Sequence, residues 1–133
     1  MGERRIAMLA NLAMVAFGGA LGASSRYLTG IGIVRLLGHT GFPLGIVTVN
    51  ILGSFLMGVF ITLAAQRGLT HLSPLVATGF LGGFTTFSSF SLETMTLWER
   101  GETGLAILYV ALSVILSILA LAAGMLAVRW IAP

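Results

Sequence analysis

The sequence predicts an all-α membrane protein of four transmembrane helices with a break in the third, and three observations carry that prediction. Of the 133 residues, 57% are hydrophobic and only 8% are charged, whereas a soluble domain carries roughly 25% charge. Apolar character lapses at 38–43, 66–73 and 98–103, leaving segments 6–37, 44–65, 74–97 and 104–131. Each exceeds the about 20 residues that a helix needs to cross hydrocarbon. The third also carries glycines and a dense run of hydroxyls, from Gly79 through Ser91 to Glu93. Irregular backbone at membrane depth is tolerated only where protein or a water-filled path surrounds it. One integral-membrane domain, 1–133, follows.

The first segment opens on Arg4-Arg5, runs apolar from Ile6, and has small residues at Ala20-Leu21-Gly22-Ala23, which imitates a secretory signal. Apolar character resumes after Arg26 and lasts to Leu37, so a retained span is the better reading. Its length lets it tilt or kink. Gly18 and Gly22 form a G-x-x-x-G pair suited to close helix contact. Arg26 either snorkels from a helix end or forms a cationic vestibule that draws anions, because an arginine buried centrally costs at least ~2.5 kcal/mol.

Asn50 sits mid-way along the second segment, which Gly53 and Gly58 lighten. A carboxamide there serves as interhelical glue or faces a path. In the third segment Gly82 and Gly83 permit a helix break, whose freed carbonyls could hold a small hard cation such as Na⁺. Phe87 and Phe90 lie three apart; they pack, or turn electropositive ring edges toward an anion. Glu93 is the only acidic residue inside the four segments, and it could serve as gate, ion-pair partner or interfacial carboxylate. In the fourth, Tyr109, Ser113 and Ser117 recur at i, i+4, i+8 and place three hydroxyls on one stripe.

A pI near 10.7 invites a nucleic-acid partner, but the net charge is only +3 and the seven basic residues are scattered arginines. They flank spans, as in a protein whose surroundings are membrane lipid. Cysteine is absent, which excludes disulfides and thiolate metal sites. His39 and His71 fall in predicted loops without nearby carboxylates. Four spans put Arg4, Arg5, Arg67 and Arg129 on one side, and Arg26, Arg35 and Arg100 on the other. So small a bias lets the chain insert both ways round. Two copies could then pair antiparallel, imitating the inverted repeats of larger transporters.

These residues together resemble the Fluc/CrcB family of small fluoride channels over essentially the whole chain. The resemblance is carried by Gly18-Gly19-Ala20-Leu21-Gly22-Ala23 with Arg26-Tyr27, and by Thr48-Val49-Asn50 with Gly53-Ser54-Phe55 and Gly58. Its most specific string is Gly79-Phe80-Leu81-Gly82-Gly83-Phe84-Thr85-Thr86-Phe87-Ser88-Ser89-Phe90-Ser91 with Glu93. Ser89 stands where threonine is frequent, and Phe84 where a smaller aliphatic is common.

The resemblance implies a dual-topology, antiparallel homodimer in a prokaryotic cytoplasmic (inner) membrane, passing fluoride out of the cytoplasm through two pores. It implies a structural Na⁺ at the dimer interface, held by backbone carbonyls of Gly82 and Thr85 from both protomers. Asn50, Phe87, Ser88, Ser89 and Phe90 would line the pore, with Tyr109, Ser113 and Ser117 continuing a polar track. Arg26 and Glu93 would belong to the vestibule. Fluoride is strongly hydrated, so neutral donors must replace its water without trapping it.

The main alternative is a small dual-topology multidrug or cation exporter, which needs a carboxylate deep in the membrane to exchange protons. The first segment has none. A non-conducting assembly subunit would show no ion flux. An enzyme is disfavoured, since no nucleophile–base pair or metal set converges in the sequence.

Overall fold

A computed structural model describes residues 2–131 of the chain. Among them are α1 (Gly2–Leu37), α2 (Leu44–Arg67), a 3₁₀ turn (Thr70–Leu72), a π-helical stretch (Pro74–Leu81), α3 (Gly82–Phe84), α4 (Phe87–Glu99) and α5 (Thr103–Ile131). Four helical units, with Thr70–Glu99 counted as one, are long and apolar enough to cross a membrane. The expectation of four membrane-capable helices, the third bent, holds. Each lapse in apolar character contains a glycine with positive φ: Gly38, Gly68 and Gly101. Only glycine enters that left-handed conformation without strain, so these residues end helices cleanly. Gly68 shows the geometry, its N–H turning back to the Ala64 carbonyl at the end of α2.

The third span is interrupted, but not where its glycine doublet suggests. Gly82 is helical, with φ −64° and ψ −34°, and Gly83 continues the helix as part of α3. The break lies at Thr85 (φ −81°, ψ 159°) and Thr86 (φ −153°, ψ 121°). Two physical reasons account for the shift. Threonine is stiff at χ1 and favours extended backbone. The glycines are needed for close packing: a Cβ on Gly83 would sit 2.7 Å from the Gly19 carbonyl oxygen.

That contact is one of a set that fixes how the spans stack. A Cβ on Gly18 or Gly22 would run into backbone oxygens of Leu75 and Phe80, so α1 lies directly on the third span. Gly79 reciprocates from the π-helical stretch: a Cβ on it would sit 3.0 Å from Gly18 Cα and from the Val15 oxygen. On the other flank Gly58 of α2 and Gly124 of α5 meet each other's backbones, at Leu121 and Phe55. Small residues at these crossings replace the hydrophobic drive that lipid removes.

Gly22→Ala should therefore push α1 off the third span. Overpacking of this kind costs about 1–3 kcal/mol. The expected outcome is a lower unfolding temperature in detergent, with Gly30→Ala unchanged because nothing lies within 4 Å of its added methyl. Equal melting of the two variants would show that the crossing tolerates a methyl.

The small buried core consists of Val47, Phe90, Leu97, Ala106 and Tyr109, contributed by α2, α4 and α5. It lies beside the break and braces it. Large apolar side chains such as Leu9, Phe17, Ile118 and Leu119 are exposed on the outer faces, as a chain immersed in hydrocarbon requires.

Candidate functional site

The site is built around the extended pair Thr85–Thr86. Where the helix stops, backbone groups lose their partners and something else must satisfy them. Asn50 of α2 does this in both directions. Its Oδ1 accepts from Thr86 N at 2.8 Å, and its Nδ2 donates to the Thr86 carbonyl at 3.1 Å. The carboxamide thus stands in for a neighbouring strand. Asn50 is a brace first, and one N–H of its amide is left over.

Thr86 is the other half of the device, and the sequence reading did not single it out. It is buried, and its Oγ1 caps α4 by accepting from Ser89 N at 3.2 Å. Its hydroxyl also lies 3.3 Å from Ser88 Oγ and 3.2 Å from Ser89 Oγ. The available signal was Thr86-x-x-Ser89 ahead of a helical run, a weaker form of the capping pattern.

Two carbonyls are altered by these arrangements. In an unbroken helix Thr86 N would close on the Gly82 carbonyl and Ser89 N on the Thr85 carbonyl. Those amides go instead to Asn50 and to the Thr86 hydroxyl. Gly82 is also exposed as a residue.

Beside the break runs a groove of about 380 Å³ between α2, α4 and α5. Asn50, Phe87, Phe90, Ser113 and Ser117 line it together, with Ser54, Thr85 and Thr86. On the α5 stripe, the hydroxyls of Tyr109, Ser113 and Ser117 are all buried and find no hydrogen-bond partner among the described residues. Leaving a buried donor unmade costs about 1–3 kcal/mol, so three on one stripe need a compensating partner. Tyr109 itself is 0% exposed and sits against Phe90, ring centroids 5.3 Å apart. Phe90 contacts Phe87 at 5.3 Å, and Phe87 projects outward, 78% exposed.

Arg26 and Glu93 lie elsewhere, in a cavity of about 360 Å³ at the end of the bundle that holds His39 and Arg100. That cavity also takes Thr40, Phe42 and Thr96 in its wall. Ser89 faces a different side of α4, in an open groove with Arg26, Tyr27 and Arg35 of α1. Ser88 is exposed and lines none of the three cavities. Among the described residues no three His, Cys, Asp or Glu side chains gather as a metal site.

Over residues 13–125 the sequence matches the family described as CrcB-like protein, Camphor Resistance (CrcB). The chain belongs to the CrcB family. It is 65% identical over 122 residues to a fluoride-specific ion channel FluC of Ruegeria sp. (strain TM1040), covering 92% of this chain and 97% of the relative. A protein of the same name from Roseobacter denitrificans is 62% identical over 123 residues, covering 92% and 94%. The namesake from Agrobacterium fabrum is 48% identical over 117 residues, covering 86% and 93%. With four membrane-capable helices and bacterial relatives along nearly its full length, this CrcB-family chain is a multi-pass bacterial membrane protein.

Proposed function

We propose that the protein is a fluoride-selective channel that lets the ion leave the cytoplasm passively, as an antiparallel homodimer with two pores in the cytoplasmic (inner) membrane. The observation that carries the reading is the pair of partnerless hydroxyls on Ser113 and Ser117, in one groove with Asn50 and two phenylalanine rings, with the equally partnerless Tyr109 hydroxyl buried behind Phe90. Neutral donors suit a small anion that must be relieved of water but not held. Ring edges at Phe87 and Phe90 add positive potential without a fixed charge. Arg26, in the cavity it shares with Glu93 at the mouth, attracts the anion from solution. Ser88 and Ser89, at the start of α4, offer hydroxyls next to the break.

Several features support the paired state. Phe87 and Gly82 are exposed on one copy although they flank the most irregular backbone in the chain. A second, inverted copy would cover them, and the near-balance of arginines between the two sides is compatible with both orientations. The carbonyls of Gly82 and Thr85, relieved of their helical amides, fit a hard cation, and by this reading two copies hold a Na⁺ between them. When bound it supplies fixed positive potential near the rings.

Purified protein in fluoride-loaded liposomes should release fluoride, and should release chloride far more slowly. Equal rates would remove the selectivity. Because the chain has no cysteine, one introduced at Gly2 reports orientation cleanly. By this reading, half of the copies react with an impermeant thiol reagent from each side of the membrane.

A further inference from the structure

Between the mouth cavity and the groove stands one residue that touches neither solvent nor a hydrogen-bond partner, Tyr109. A buried tyrosine is normally held by the bond that its hydroxyl makes. Among the described residues no such bond exists, so the rings on either side fix the phenol. One of them is Phe90, which lines the groove. The other is Phe42, outside the four spans, which lines the mouth. Its ring meets Tyr109 edge-on, centroids 5.6 Å apart and planes at 84°.

Phe42 is unusually well secured for a linker residue. Its carbonyl accepts from Leu44 N at 2.8 Å and from Thr40 Oγ1 at 2.8 Å. Pro43 follows and narrows its backbone further. Four rings therefore run from the mouth to the break, Phe42, Tyr109, Phe90 and Phe87, at successive spacings of 5.6, 5.3 and 5.3 Å.

We infer that Phe42 is a positioning residue for conduction: it holds the Tyr109 hydroxyl at the neck between the mouth cavity and the groove, ready to donate to the passing anion. The inference rests on the channel reading above. Removing the ring leaves Tyr109 in place but free to turn its hydroxyl away. The effect of Phe42 on flux then operates only through that hydroxyl.

A double-mutant cycle on fluoride efflux tests this with the full-length protein in liposomes. Tyr109→Phe and Phe42→Ala should each slow fluoride roughly tenfold, equivalent to ~1.4 kcal/mol of barrier. The double variant should be no slower than Tyr109→Phe alone, and Phe42→Tyr should recover most of the wild-type rate. Losses that multiply to roughly a hundredfold would mean independent action and overturn the inference, as would a Tyr109→Phe variant at wild-type rate. If Phe42→Ala does not fold, Phe42→Leu keeps bulk without the ring edge and is read in the same cycle. Absence of fluoride efflux from the wild type would overturn the channel reading itself, and this inference with it.

Discussion

Asn50→Asp should reduce fluoride efflux more than any other single-atom change in the chain. The two side chains are nearly the same shape, so the new carboxylate occupies the place of the amide. One oxygen still accepts from Thr86 N, where Oδ1 now lies at 2.8 Å. The other replaces Nδ2 and faces the Thr86 carbonyl at about the present 3.1 Å, acceptor against acceptor. Thr86 is the N-cap of α4, so its carbonyl keeps the first bond of that helix, but its second bond gives way to repulsion between two acceptors. A negative charge also stands on the groove wall, on the proposed path of the anion and at a depth where an ionised side chain costs at least ~2.5 kcal/mol. Each ~1.4 kcal/mol of barrier is tenfold in rate, so a loss exceeding a hundredfold is expected. Asn50→Ala separates the two contributions, because it removes the brace without adding charge. It should melt at a lower temperature than wild type and conduct faster than the aspartate variant. If aspartate and alanine conduct alike, Asn50 acts as a brace and the ion does not sense its charge.

The spans were legible because hydrocarbon imposes a simple rule: long apolar runs cross, and glycine with polar residues marks the turns. Gly38, Gly68 and Gly101 sit within the lapses in apolar character and carry positive φ. The α5 stripe was equally readable, since i, i+4, i+8 spacing fixes one helical face whatever surrounds it. The break was legible as a fact but not in position. Gly82-Gly83 reads as the weak point by propensity, yet helix contact used those residues and left the extended backbone to Thr85–Thr86. Propensity is local, whereas the Gly19 carbonyl that demands a glycine at 83 lies more than sixty residues earlier. Asn50 was singled out, but its use of two bonds on Thr86 depends on where the break falls. Phe42 escaped notice because nothing in spacing couples a linker ring to α5, whereas the capping role of Thr86 did leave a signal, in Thr86-x-x-Ser89.

Phe87→Ile should nearly abolish fluoride efflux without weakening the protomer. Phe87 is 78% exposed, so exchanging its ring for a branched aliphatic of similar bulk removes little packing within one chain. Isoleucine presents no electropositive rim, and an anion passing it keeps no substitute for its lost water. A hundredfold reduction corresponds to ~2.7 kcal/mol of barrier, within reach if the rim contact is made where water is excluded. Phe90→Ile makes the useful comparison. Phe90 is 9% exposed and packs on Tyr109, so its loss should lower both flux and melting temperature. Flux should thus fall in both variants while stability falls in one. Efflux from the Phe87→Ile protein at the wild-type rate, with an elution volume unchanged in size-exclusion chromatography, would assign that ring to packing alone. The groove would then have to select its ion through hydroxyls only.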